Sequence, residues 1–149
     1  MSDAPGFAPT GPAGETDAGE TSAGETNAGE TNAEATLARV RFSAEGLLPA
    51  IIQEESTGTV LMLGYMDAEA LRRTLTEGRV TFWSRSRQEY WRKGDTSGNV
   101  QHVRGAALDC DADALLVTVH QVGAACHTGA HSCFDVGPLQ PVLGNGDAR

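Results

Sequence analysis

Apolar residues recur from Leu37 onward in short runs separated by turn signals. In STGTVLMLGYM a turn signal at Thr57-Gly58 precedes an apolar run from Val60, which predicts a buried strand. MDAEALRRTLTEG then changes to a helical pattern, with Asp67 as N-cap, Glu69 in the positive first turn and Gly78 as the stop. Met66 and Leu71 occupy the N′ and N4 positions of a hydrophobic staple. Ala70, Leu71, Thr74 and Leu75 form the inward stripe, and Arg72 and Arg73 point outward. RVTFWSRS and QEYWRKG predict a pair of short aromatic strands, while NVQHVRGAALDCD and ALLVTVHQVG supply further alternating, β-branched stretches. One helix, or two short ones, among about five strands predicts a small α+β domain with a largely antiparallel sheet.

The first 36 residues follow a different rule. AGETD, AGETS, AGETN and AGETN run in succession from Ala13 to Asn32 and then decay into AEAT. Units with one carboxylate, one Gly and no large apolar side chain bury too little surface to offset ordering entropy, so residues 1–36 are expected to form a disordered acidic tail. They hold seven acids and no Lys or Arg, leaving 13 acids against 11 bases in residues 37–149. The folded part is therefore near neutral although the whole chain carries −9. An acidic, Pro/Gly-rich start predicts no secretory leader, and no apolar run approaches the roughly 18 residues of a membrane span. A cytoplasmic location with reduced thiols is expected, without membrane or nucleic-acid partners. A core of this size would gain from pooling surface in a homodimer.

All three cysteines lie in DCDADALLVTVHQVGAACHTGAHSCF, which begins at Asp109. Asp109, Asp111 and Asp113 recur with period two around Cys110. If the stretch is extended, the carboxylates share one face and Cys110 leaves on the other. Convergent carboxylates suit Mg²⁺ or Ca²⁺, and the alternative is a solvated acidic turn. Cys110, Cys126 and Cys133 are spaced C-x15-C-x6-C, without the C-x-x-C knuckle of a closed structural zinc site. Three thiolates would hold zinc with its fourth position open to water; otherwise they are inert buried thiols. His127 is a possible fourth ligand or general base, and a lone histidine is more often structural.

WSRSRQEYWRKGDTSG brings Arg85, Arg87, Arg92 and Lys93 together with Ser84, Ser86, Thr96, Ser97 and the aromatic Trp83, Tyr90 and Trp91. Arg forks and hydroxyls recognise phosphate oxygens, glycines such as Gly94 and Gly98 admit backbone N–H groups, and aromatic faces stack on bases. Near-neutral charge favours a nucleotide-sized ligand over a nucleic-acid strand. A basic hairpin with core aromatics is the plain alternative.

Read together, WSRSRQEYWRKGDTSGNVQ, LDCDAD, QVGAACHTG and SCF resemble the phosphoribosyl-AMP cyclohydrolase family of histidine biosynthesis, over roughly Leu47 to Phe134. The resemblance implies a hydrolase that opens the adenine ring of phosphoribosyl-AMP at N1–C6, using a zinc-activated water and Mg²⁺, as a homodimer with sites at the subunit interface. It implies Cys110, Cys126 and Cys133 as zinc ligands and Asp109, Asp111 and Asp113 as Mg²⁺ ligands. His127 falls on a fixed motif position and becomes the implied general base or proton shuttle. The two substrate phosphates would give Trp83, Ser84, Arg85, Ser86, Arg87, Trp91, Lys93, Thr96, Ser97 and Gly98 something to bind.

Two departures from the family pattern stand out: Asp95 where Glu is usual, and Asp135 where an aromatic is common. With about fifteen residues after Phe134, a fused pyrophosphohydrolase domain is not expected. Zinc deaminases, the nearest rival class, need H-x-E and P-C-x-x-C, and neither occurs. A zinc-stabilised single-strand-binding module is the rival from outside enzymes.

Overall fold

The computed structural model describes residues 29 and 31–141. A short helix at 31–37 (α1) opens this part, with Ala33 buried at 3% exposure. Helical structure thus reaches back into the segment that composition assigns to the tail; the rest of the repeat expectation falls outside the described residues. The following elements are β1 (Leu48–Glu54), β2 (Val60–Met66), α2 (Ala68–Glu77), β3 (Thr81–Ser84), β4 (Glu89–Arg92), β5 (Gln101–Leu108) and β6 (Leu115–Gln121), then a 3-10 turn at Cys133–Asp135.

Four strands form one sheet in the order β2-β1-β6-β5, and β3-β4 is a separate hairpin. Every pairing is antiparallel except β1 with β6, so the small, largely antiparallel α+β architecture holds. β1, with the sequence LPAIIQE, was not among the predicted strands. Its alternation is clear in the fold: Leu48, Ala50 and Ile52 are fully buried while the residues between them are half-buried.

α2 is built as its sequence dictates. The Asp67 carboxylate accepts from the Ala70 N–H at 2.8 Å, and Gly78 takes a left-handed φ of 70° and returns its N–H to the Thr74 carbonyl. Ala70, Leu71 and Thr74 are buried, and Leu75 packs against the core. Arg72 and Arg73 both reach Glu69, whose carboxyl is pulled down to about 2 by those guanidinium hydrogen bonds. The buried Thr74 hydroxyl donates to Ala70 O and accepts from Thr81 N–H, locking the helix to β3.

The inner face of the sheet (Leu48, Ala50, Ile52, Leu61, Leu115, Val117, Val119) closes on α2 and on Val80 and Phe82. Truncating so deeply buried a Phe82 to Ala would cost about 3–5 kcal/mol. Among the described residues the outer face has no such cover. Leu63, Ile51, Leu116 and Ala107 are direct neighbours in register and make one apolar row across all four strands. Leu63 is 46% exposed.

Candidate metal and active site

The acidic stretch leaves the end of β5 as a turn rather than as extended chain, which corrects the face argument made for it. Ala112 adopts φ 63°, its N–H returns to Asp109 O, and its carbonyl accepts from Arg41 N–H. Asp109 Oδ1 accepts from the N–H groups of Asp113 at 3.0 Å and Ala114 at 3.2 Å. Short acidic side chains compete with the ladder for backbone donors, so a D-x-D-x-D run folds on itself once no strand pairs with it. Convergence is achieved all the same: one oxygen from each of Asp109, Asp111 and Asp113 lies within 4.8 Å of the others, all three residues being exposed. Partial desolvation would raise Asp109, yet the Ala114 and Asp113 amides outweigh it and leave the carboxyl below its usual range. Asp113 is raised, first by its hydrogen bond with Asp111, then by desolvation and by the Asp111 charge. Such mutual repulsion is what a hard divalent cation relieves, so the donor set fits Mg²⁺.

Cys110 is exposed on this same turn. The other two thiols lie at the opposite end of the β5–β6 hairpin. Leu108 pairs with Leu115 at one end and Gln101 with Gln121 at the other. Seven residues of strand at ~3.3 Å each separate the ends by roughly 20 Å. Among the described residues, no three-ligand group contains the three thiols.

The loop after β6 folds tightly. Ala125 N–H donates to His131 O, Cys126 N–H to Ala130 O and Gly129 N–H to Cys126 O. The Gln121 amide also donates to His131 O, at 3.0 Å, and its own oxygen accepts from the buried Gln101. Ser132, 1% exposed, donates to Val60 O at 2.7 Å and caps the 3-10 turn, whose capping box is completed by Asp135. The departure at Asp135 is therefore structurally supported. Asp95 likewise accepts from Arg92 at 2.8 Å and from Arg79 at 3.3 Å.

Between this loop and the segment after β4 lies a cavity of about 400 Å³. Met62 and Trp91 form apolar walls; Lys93, Gly94, Thr96, Ser97 and Asn99 line one side, and Cys126, His127, Gly129 and Cys133 the other. Gly94 has φ 93°, and a Cβ there would lie 2.7 Å from the Val100 backbone, so only glycine fits the bend. Cys126 is buried and accepts from the Thr128 hydroxyl at 3.0 Å. Thr128 holds the Cys126 thiol below its usual range, first through its hydroxyl and then through its backbone. Burial pushes Cys133 up, and charge at Cys126 adds to this. Burial likewise lowers Lys93, while the two thiols oppose that shift. His127 stands exposed at the rim. Two adjacent thiols fit a soft-ligand metal such as zinc but leave its set incomplete.

The predicted phosphate and base contacts divide. Trp91, Lys93, Thr96 and Ser97 line the thiol cavity. Trp83 and Arg85 line a separate hollow of about 390 Å³ with Glu45, Leu47 and Gln88, and the Arg85 guanidinium lies over the Tyr65 ring at 4.0 Å. Strand alternation explains the split: Phe82 pairs with Trp91 and Trp83 with Tyr90, so the two tryptophans leave the hairpin on opposite faces. Ser84 Oγ accepts from Arg87 N–H within the hairpin turn, Arg87 pairs with Glu89 at 3.3 Å, and Ser86 is exposed beside them. Gly98 closes the loop by donating its N–H to Gly94 O. Met62, Asn99 and Thr128 were not singled out from the sequence; Asn99 and Thr128 stand inside the quoted motifs, whereas nothing local marks Met62.

No helix among the described residues is long and apolar enough to cross a membrane. A family model described as phosphoribosyl-AMP cyclohydrolase matches residues 62–135, the stretch that runs from Met62 in the cavity wall to the capping Asp135. A phosphoribosyl-AMP cyclohydrolase of Leifsonia xyli is 73% identical over 108 residues, which is 72% of this chain and 86% of that protein. The Bifidobacterium longum protein of the same name is 68% identical over 113 residues, covering 75% and 86%. That of Streptomyces avermitilis is 67% identical over 111 residues, covering 74% and 81%. With both thiols, His127 and the acidic turn inside the matched region, the chain belongs to the phosphoribosyl-AMP cyclohydrolase family of hydrolases.

Proposed function

We propose that this chain hydrolyses the N1–C6 bond of phosphoribosyl-AMP in histidine biosynthesis, in the reducing cytoplasm, as a homodimer whose sites need both subunits. The observation that carries this reading is the cavity that seats Cys126 and Cys133 beneath His127 with Trp91 as a wall. Cys126 and Cys133 would hold zinc together with Cys110 of the partner subunit, and Asp109, Asp111 and Asp113 would hold Mg²⁺. Zinc, when bound, supplies a Lewis acid that makes water nucleophilic near neutral pH.

The remaining chemistry belongs to the chain itself. His127 accepts the proton of the water that adds to C6 and returns it to N1 as the N1–C6 bond breaks. Trp91 offers a face for the purine, and Thr96, Ser97 and the Gly94 bend offer hydroxyl and backbone donors for a phosphate. Arg85 in the second hollow is the candidate for the other phosphate.

Distance supports the dimer reading. Ends of a hairpin roughly 20 Å apart cannot place Cys110 beside Cys126 within one chain. A two-fold axis that packs the apolar Leu63–Ile51–Leu116–Ala107 row against its copy would bring opposite ends together. Mixing tests this directly. Cys110→Ser and Cys126→Ser chains should each be inactive and zinc-poor. Mixed and re-equilibrated one to one, they should recover about a quarter of wild-type turnover, because half the dimers then carry one intact site. Absence of recovery with confirmed mixed dimers would reject the shared site. A folded, zinc-free wild type with undiminished turnover would reject the metal chemistry.

A further inference from the structure

We propose that Lys93 is a positioning residue of the thiol site, a fixed counter-charge for the thiolates of Cys126 and Cys133, and not a phosphate ligand. This rests on the zinc reading above. Lys93 directly follows β4, and its backbone N–H donates to Val80 O at 2.9 Å. The left-handed Gly94 then turns the chain away. It is 5% exposed. Nζ lies 5.7 Å from the Trp91 ring centroid and donates to Ala125 O at 2.8 Å.

That carbonyl belongs to the residue before Cys126, and the same cavity is walled by Cys126 and Cys133. A phosphate clamp needs a reachable, adaptable end, as the half-exposed Arg87 has. Lys93 lines the cavity, but its end is buried and tied to Ala125 O, so it is fixed rather than adaptable. Among the described residues no carboxylate pairs with it. A buried ammonium without an anion is costly, and among the described residues the acidic groups that line its cavity are the two thiols. An ammonium has three donors and Ala125 O takes one, which fixes the charge on the wall of the cavity that the two thiols share. The charge count agrees. A divalent ion on three thiolates carries one net negative charge, which one ammonium cancels. Outer-shell partners of this kind orient ligands and are commonly worth about 10–100-fold in metal affinity.

The test is zinc affinity of the full-length protein, by competition with a chromophoric chelator at one fixed pH. Lys93→Met removes charge and tether at equal length, whereas Lys93→Gln keeps a donor for Ala125 O and removes only the charge. Both should bind zinc about 10–100-fold more weakly than wild type. Thermal unfolding of the metal-free proteins should change little by comparison. If either variant keeps wild-type zinc affinity while KM rises tenfold or more, Lys93 is a substrate contact and the proposal is overturned. If Lys93→Met does not fold, Lys93→Gln decides alone. Should Cys126→Ser hold zinc as tightly as wild type, the zinc reading itself falls and this inference falls with it.

Discussion

The two ends of the β5–β6 hairpin hold the same currency, ionisable acids and thiols, in opposite surroundings. At one end Asp109, Asp111, Asp113 and Cys110 sit on an exposed turn whose geometry is closed by its own backbone amides. At the other, Cys126 and Cys133 are drawn into a cavity whose walls arrive from β2, from the segment after β4 and from the loop after β6. A cluster within five residues can form with little tertiary help, but it stays wet and weak on its own. A cavity assembled from distant segments can desolvate charge, which is what makes a metal site or an active site strong.

The comparison is broken most severely by removing one thiol from either end. Cys110→Ser and Cys126→Ser should each lower turnover at least about 10³-fold, several kcal/mol of barrier, although one residue is exposed and the other buried. A Cys110→Ser enzyme with wild-type turnover and zinc content would separate the two ends functionally. Next in size is Leu116→Asp, in the middle of the outer apolar row. It should shift sedimentation toward monomer and lower activity about 10–100-fold at dilute concentration, since like charges would face one another across the axis. An active monomer would confine the site to one chain.

Asp111→Asn probes the acidic end alone. It should raise the Mg²⁺ concentration needed for half-activity about tenfold while leaving bound zinc unchanged. The pH behaviour has a definite sign. Because Asp113 is raised by its carboxylate neighbours, its contribution to metal-free stability is present below the ordinary carboxyl value and is lost as pH climbs through the raised one. Melting curves of the metal-free protein should show this loss, and Mg²⁺ at pH 7 should reverse it. The smallest effect belongs to Glu69, remote from both ends. Its folded value of about 2 lies below the ordinary carboxylate value, so its contribution is present above that ordinary value and disappears as pH falls toward 2. Half-exposed and open to salt screening, the Glu69→Gln change should lower Tm by about 2 °C at pH 7 and by nothing measurable near pH 2.

Much of this was readable residue by residue, and the failures have common causes. α2 was legible because its cap, staple and stop are local signals within thirteen residues. Cys110, Cys126, Cys133, the three aspartates and His127 were legible as motifs. β1 escaped because Pro49 interrupts a short apolar run, and its strand character is fixed by β2 on one side and β6 on the other. The acidic stretch fits both an extended chain and a turn; without a paired neighbour strand, Asp109 and its backbone donors choose the turn. Lys93 reads as one base among several in WSRSRQEYWRKG, and only burial against Ala125 separates it from Arg85 and Arg87.

Composition and local pattern were enough for the class of fold, the helix with both its ends, and the chemical type of each side-chain cluster, because these depend on neighbours a few residues away. What they did not contain was distance. Trp83 and Trp91 belong to one motif yet face different hollows, and three cysteines within twenty-four residues divide between opposite ends of a hairpin. Strand pairing imposes that separation, since a rigid seven-residue ladder holds its ends apart however close they lie along the chain.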